Sequence, residues 1–265
     1  MSDALDRVER ALGRWLPADG TPLILGLCGA QGSGKSTLAE GLQVRMTAHG
    51  VRTAILSLDD LYLDGVARAG LAARIHPLLR TRGVPLTHDV ARGVAVIDHV
   101  RAGRPVTLPR FDKARDEPAA DTGAVNGIDL LIFEGWCVGA APQDEAALAD
   151  PVNPLEREAD AAGTWRRAVN AALGTQYAEL FGRIDRLVLL AAPGFEVVAG
   201  WRLEQEETLR RRIEAAGGDP SGLMDEAAIT RFVQHYERLT RHILHEMPAR
   251  ADLVLPLDEH RQLRA

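Results

Sequence analysis

The sequence predicts an α/β fold, a three-layer sandwich with a mostly parallel central sheet and helices on both faces. Three observations predict it. Apolar runs of strand length recur at residues 23–28, 53–58, 128–133, 187–191 and 253–257. Longer stretches with helical patterning separate them, the alternation that builds a sheet covered by helices. The chain has 265 residues, 46% of them apolar, enough for a full core and near the upper size of one α/β unit. A single domain over residues 1–265 is therefore expected.

Residues 1–20 open with MSDALDRVERALGRWL, whose charges fall at helical spacing. An N-terminal helix is expected there, since a signal peptide needs an uninterrupted apolar stretch. No later apolar run approaches ~18 residues, so the expectation is a cytoplasmic chain with no membrane partner. Acidic residues outnumber basic ones, 37 to 31, for a formal charge of −6. Such a surface does not hold a polyanion, and nucleic acid is not an expected partner. The two cysteines, Cys28 and Cys137, lack the spacing of a metal knuckle or a disulfide framework.

The first strand, LILGLC, runs directly into GAQGSGKST. That loop satisfies G-x-x-x-x-G-K-[ST] over residues 29–36 and leads into a helical segment, the order of strand, glycine loop and helix that a P-loop requires. Its glycines let successive N–H groups and the helix N-terminus face phosphate oxygens. Gly29, Ala30, Gln31, Gly32, Ser33, Gly34, Lys35, Ser36 and Thr37 are therefore the expected nucleotide-binding residues, for ATP with Mg2+. Lys35 bridges the outer phosphates in this reading and Ser36 holds the metal.

Acidic residues decide what kind of P-loop protein this is. The second strand ends in Asp59 and Asp60, at the carboxyl edge where α/β sheets place their ligands, and either can accept the proton of an attacking hydroxyl. The third ends in Glu134 and Gly135, a position suited to a carboxylate near the metal. Between them Thr87 is expected to cap a helix whose Val90, Val94 and Ile97 share one face, ended by Gly103 and Pro105. Residues 139–160 have no clear period and read as a surface excursion.

Of 31 basic residues only Lys35 and Lys113 are lysines, leaving 29 arginines. In a chain with that preference, the two lysines mark positions where a compact point charge serves and a planar fork does not. Near the end, WRLEQEETLRRRIEAAGG is expected to form a helix over 201–216 inside a candidate lid at about 201–222. Its Arg202, Arg210, Arg211 and Arg212 resemble the arginine-bearing lid of nucleoside-monophosphate-like kinases, which implies a closing element that brings cation to a transferring phosphate. Glu206 with Arg210 and Glu207 with Arg211 also have the i,i+4 spacing of a solvated helix face.

SLDDLY (57–62), PRFD (109–112) and FEGW (133–136) resemble elements of uridine kinase, phosphoribulokinase and pantothenate kinase. Together with RGVPLTHD (82–89), LPRFDK (108–113) and EGWCVG (134–139), they are most similar to the D-glycerate 3-kinase family. The resemblance implies transfer of the ATP γ-phosphate to D-glycerate, giving 3-phosphoglycerate, with Asp59 as base. It also places Arg82, His88, Asp89, Asp112 and Lys113 around the acceptor, with Asp60 and Tyr62 as further candidate substrate-binding residues. The sequence departs from the family after Lys113, where ARDEPAAD replaces a glycine-containing loop that ends in Gly-Asp-Arg. Arg115 is the candidate to replace that loop's arginine.

A small acid needs fixed cations and little apolar area, which Arg82, His88, Lys113 and Arg115 can supply. A nucleoside wants a stacking wall, and within the motif region only Tyr62 and Phe111 offer one. The alternatives are pantothenate, a nucleoside or another sugar acid as acceptor, or a non-catalytic ATP-binding regulatory module. The expected assembly is a monomer or small homo-oligomer.

Overall fold

A computed structural model describes residues 2–215, 217–219 and 223–264. Its central sheet has five parallel strands, β1 (Leu23–Gly29), β2 (Thr53–Ser57), β5 (Leu130–Gly135), β6 (Arg186–Ala191) and β7 (Leu253–Pro256), in the order β2-β5-β1-β6-β7. Each of the five predicted runs is a strand, with ends shifted by one or two residues. The central strand β1 is buried along its whole length. Ile24 and Cys28 face one core while Leu23, Leu25 and Leu27 face the other, which is why this segment reads as a continuous apolar run.

Helices α1 (Ser2–Trp15) and α2 (Lys35–Ala48) cover one face. Ala4, Val8 and Leu12 of α1 join Leu38, Leu42 and Met46 of α2 in a shared core, as the helical spacing of the N-terminus requires. The other face carries α4 (Val90–Arg101), α7 (Gln176–Phe181) and α9 (Glu226–Glu246). Val90 and Ile97 are buried there, with Val94 packed beside them. The cap of α4 is Asp89, whose carboxylate accepts from Arg92 N at 3.0 Å, and not Thr87. Thr87 Oγ1 instead closes a turn with Gly83 N and Val84 O.

Two other expectations change. Residues 139–160 contain a short 3-10 turn, Glu145–Leu148, and α5 (Pro154–Ala159), and they bury Leu148, Leu155, Glu156 and Asp160. Glu156 pairs with Arg238 of α9 at 2.7 Å and Asp160 with Arg166 of α6 (Thr164–Leu173) at 3.2 Å. Two acids of this segment are therefore buried in ion pairs, and the partner of Glu156 lies 82 residues away, where no local pattern reveals it. A two-stranded antiparallel hairpin, β3 (Arg110–Asp112) with β4 (Glu117–Ala119), was also not foreseen, because its strands are three residues long. Helix α3 (Gly65–Arg74) lies beside its tip, where Gly65 N donates to Glu117 Oε1 at 3.2 Å.

The predicted helix over 201–216 starts earlier, as α8 (Glu196–Ala215). Ala216 and residues 220–222 of the candidate lid lie outside the described residues. Glu207 pairs with Arg211 at 3.0 Å as expected, but Glu206 turns back to Arg202 at 2.5 Å. Glu206 is nearly buried and also accepts from Met224 N, so tertiary position selects Arg202 over Arg210, both four residues away on the helix. Among the described residues, no helix is long and apolar enough to cross a membrane.

Candidate active site

β1 ends at Gly29 and the chain turns through Gly32 (φ +77°) and Gly34 (φ +88°), both in the left-handed region that favours glycine. Two approaches make the loop tight. A Cβ on Gly29 would lie 2.6 Å from Ser33 Oγ, and one on Gly32 would lie 2.5 Å from Trp201 Cβ of α8. Gly34 then starts α2 with no side-chain cap, so the free N–H groups of its first turn and the positive end of its dipole face the cleft. Ser36 Oγ donates to Glu134 Oε1 at 3.2 Å across the strand ends. Glu134 is nearly buried, and its Oε2 has no hydrogen-bond partner. A buried carboxylate oxygen left free beside a P-loop hydroxyl fits a divalent cation that takes its remaining ligands from phosphates.

A cleft of about 710 Å³ opens at the carboxyl ends of β1, β2 and β5, lined by the P-loop, Asp59, Tyr62, Arg82, Lys113 and α8. Asp59 lies in the 3-10 turn Leu58–Leu61 that ends β2. Both of its oxygens are engaged: Tyr62 Oη donates to Oδ1 and Lys113 Nζ to Oδ2, each at 2.7 Å. Burial alone would raise its pKa, but the charges of Lys113 and Lys35 outweigh it and hold the carboxyl well below the usual range. Lys113 arrives from the tip of the β3–β4 hairpin. Arg82 lies with its guanidinium 5.6 Å from the Phe111 ring centre and 6.0 Å from that of Tyr62.

Five other expected acceptor residues do not line this cleft. Asp60 accepts from Phe111 N and Arg110, fastening the hairpin to the 3-10 turn, and burial raises its pKa. His88 is buried behind Tyr62, its ring stacked on it at 4.9 Å. Tyr177 Oη accepts from Leu86 N and also hydrogen-bonds with His88 Nδ1 at 2.6 Å. Burial pushes the histidine pKa down to about 3, so the ring is neutral. Asp89 caps α4, and Asp112 accepts from Ala114 N and Arg115 N in the hairpin turn. Arg115 is 84% exposed and pairs loosely with Asp112 at 3.8 Å.

The sequence reading missed Trp136, Phe232, Tyr236 and Arg261, all of which line the cleft. Trp136 follows Glu134-Gly135 in the FEGW element and was legible there. The other three come from α9 and the C-terminal loop, with no motif to mark them. Trp136 and Tyr236 meet edge to face at 4.9 Å and are almost buried, so little of either ring is open for stacking. Arg261 Nε donates to Gly32 O at 2.6 Å while its guanidinium lies 5.1 Å from the Trp201 ring centre, tying the C-terminal loop to the P-loop.

An uncharacterized kinase of Schizosaccharomyces pombe, mug58, is 34% identical over 245 residues, covering 88% of this chain and 84% of that protein. The chloroplastic D-glycerate 3-kinase of Arabidopsis thaliana is 26% identical over 92% of this chain, which spans 54% of its length. The chain belongs to the kinase family of mug58 and is similar to the D-glycerate 3-kinases. It is a small-molecule kinase, and the reading as a non-catalytic ATP-binding module falls away. The fold agrees: the YGR205w protein superposes with a TM-score of 0.77 at 24% identity over 98% of this chain and 96% of its own. The D-glycerate 3-kinase of Cryptococcus neoformans superposes with a TM-score of 0.75 at 24% identity, covering 92% of this chain and 89% of its own. The family described as Methylmalonyl Co-A mutase-associated GTPase MeaB matches residues 3–80, which hold the P-loop and Asp59 but end before Arg82 and the hairpin. Kinase relatives imply ATP as the donor, with Mg2+ as its usual companion.

Proposed function

We propose that this kinase transfers the terminal phosphoryl group of ATP to a hydroxyl of D-glycerate, giving 3-phosphoglycerate. The observation that carries this reading is the convergence of two cations from separate segments, Lys113 and Arg82, on the part of the cleft that holds Asp59. Carboxylate recognition needs such fixed cations, and the Arabidopsis and Cryptococcus relatives are named as D-glycerate 3-kinases. The P-loop residues 29–37 hold the triphosphate in this reading, with Lys35 on the outer phosphates. Ser36 and Glu134 would hold Mg2+, which neutralises charge on the phosphates and keeps them in line for transfer.

Asp59 orients the acceptor hydroxyl and takes its proton as the new O–P bond forms and the bond from phosphorus to the ADP oxygen breaks. The resting Lys113–Asp59 pair makes this carboxylate a weak base. The acceptor's own carboxylate draws Lys113 away, which returns basicity to Asp59 when a substrate is present. Tyr62 keeps its hydrogen bond to Oδ1 throughout and fixes the carboxylate plane.

The partly exposed Phe232 ring in the cleft favours a second reading, in which the acceptor is larger, such as pantothenate or a nucleoside. One experiment separates the two. The purified chain is incubated with ATP, Mg2+ and each of D-glycerate, other hydroxy acids, pantothenate and uridine, and the phosphorylated product is identified. D-glycerate should stimulate ATP consumption and yield 3-phosphoglycerate. Stimulation by pantothenate or uridine without D-glycerate would move the assignment to the second reading.

A further inference from the structure

Arg82 has a rigid backbone and a long side chain. Tyr236 Oη donates to Arg82 O at 3.1 Å and Trp136 Nε1 to Gly83 O at 2.7 Å. Gly83 takes φ +125°, and a Cβ there would lie 2.1 Å from Tyr236 Oη, so the mount admits no other residue. Beyond the mount, the guanidinium rests on the rings of Tyr62 and Phe111, contacts that set its height but not its rotation. One carboxylate fixes the rotation: Asp116 Oδ1 accepts from Arg82 Nη1.

Asp116 is itself held from behind. Arg68 of α3, 3% exposed, donates from Nη2 to Asp116 Oδ2 at 2.6 Å and to Asp116 O at 3.0 Å, while its Nε reaches Asp64 O at 3.4 Å. The main chain at Asp116 is left-handed, φ +59°, a conformation aspartate and asparagine tolerate better than most residues. The burial of Arg68 gives this contact its direction. An arginine withdrawn from water needs its counter-charge, so Asp116 stays with Arg68 and Arg82 is the partner that is oriented. Two guanidinium charges against one carboxylate leave one positive charge, and Arg82 is the member of the trio that faces the cleft. The hairpin tip that carries Asp116 also carries Lys113, three residues earlier.

We propose that Asp116, anchored by the buried Arg68, is a positioning residue that aims the Arg82 guanidinium at the acceptor's carboxylate and thereby selects acidic over neutral acceptors. This rests on the reading of the cleft as the site of an acid acceptor. Asp116 touches neither the acceptor nor the phosphates. Its effect is exerted through the rotation of Arg82 and the seat of the hairpin tip.

The test is steady-state kinetics of Asp116→Asn with Mg-ATP, comparing D-glycerate with glycerol, a neutral analogue that keeps the hydroxyls and lacks the carboxylate. Asparagine keeps the left-handed backbone and the size while removing the charge. KM for D-glycerate should rise at least ~10-fold, with kcat and the KM for ATP within about threefold of wild type, and turnover of glycerol should not fall. Asp116→Glu, which restores the charge, should lie nearer wild type than Asn. Should Asp116→Asn fail to fold because Arg68 is left unpaired, the double variant Arg68→Met/Asp116→Asn removes both charges, keeps a residue that tolerates the left-handed backbone, and should fold with the same KM defect.

An unchanged KM, a lowered KM, or an acid-to-neutral preference equal to that of wild type overturns the proposal. A lowered KM would mean that Asp116 competes with the acceptor for Arg82. If wild type turns over another acid in place of D-glycerate, the comparison runs with that acid, and only the identity of the acceptor has failed. If it turns over no acid, both readings fall together.

Discussion

The two halves of the cleft are built differently. The donor half is main chain: nine consecutive residues run from the end of β1 into the first turn of α2, their N–H groups fixed by glycines and by the start of a helix. The acceptor half is side chains from the turn after β2, the loop at Arg82, the tip of a three-residue-strand hairpin, and α9. A main-chain site is rigid because its geometry is local. A site of converging side chains is held by ion pairs, Lys113 with Asp59 and Asp116 with Arg82 and Arg68, that span 34 to 54 residues of sequence. The donor half should therefore tolerate changes of chemistry poorly at its backbone, and the acceptor half at its charges.

The largest effect should come from Asp59→Asn. Asparagine can still accept from Tyr62, so nucleotide affinity should hold while turnover falls ~100- to 10,000-fold, the usual range for a general base. Steady-state rates beside nucleotide binding check it, and a loss of only a few fold would remove Asp59 from that role. The mirror experiment is Gly32→Ala. Its φ of +77° and the 2.5 Å approach to Trp201 impose a strain of roughly 1–3 kcal/mol, so nucleotide affinity should weaken by about tenfold or more. Calorimetric titration with a non-hydrolysable triphosphate reads this directly, and equal weakening of acceptor binding would show the two halves to be less separate than drawn here.

Lys113→Arg should lose at least ~10-fold in kcat/KM for the acceptor while binding nucleotide normally, because a planar fork cannot occupy the single position 2.7 Å from Asp59 Oδ2 in the same way. Lys113→Met sharpens the same point through pH. The lysine helps hold the Asp59 pKa down, and an aspartate is lost as a base when pH falls through its pKa. Without the lysine that pKa rises, so the acidic limb of the kcat/KM profile should move to higher pH. A limb that stays in place would show that Lys113 does not set the ionisation of Asp59.

The smallest effects separate arginines that have a fork to use from those that do not. Arg7 is exposed on α1, and Arg7→Lys should be silent in rate and melting temperature. Arg45 and Arg250 do not suit this control, because each uses more than one donor. Arg250 grips both oxygens of Glu246 and also donates to Gly139 O, and Arg45 bridges Asp6 and Glu9. Arg250→Lys should cost up to about 1 kcal/mol of stability with no change in rate, read by thermal unfolding.

Sequence alone determined the five strands, the P-loop and the strand-end carboxylates, because each depends on a period or spacing within about ten residues. Burial on both faces makes a continuous apolar run, and phosphate binding needs glycine at set intervals. The segment over 139–160 shows the limit, since its acids are legible as composition but the partner of Glu156, Arg238, lies 82 residues away and is chosen by packing. The acceptor site meets the same limit. His88, Asp89 and Asp112 stand in motifs and face away from the cleft, while Tyr236 and Arg261 line it from regions without any motif. Which side chain of a motif turns inward is decided by hydrogen bonds to remote residues, as when Tyr177 holds His88 and Arg68 holds Asp116. A linear pattern carries the spacing of residues along the chain, and only the folded chain brings together groups whose charges act over a few ångströms of space.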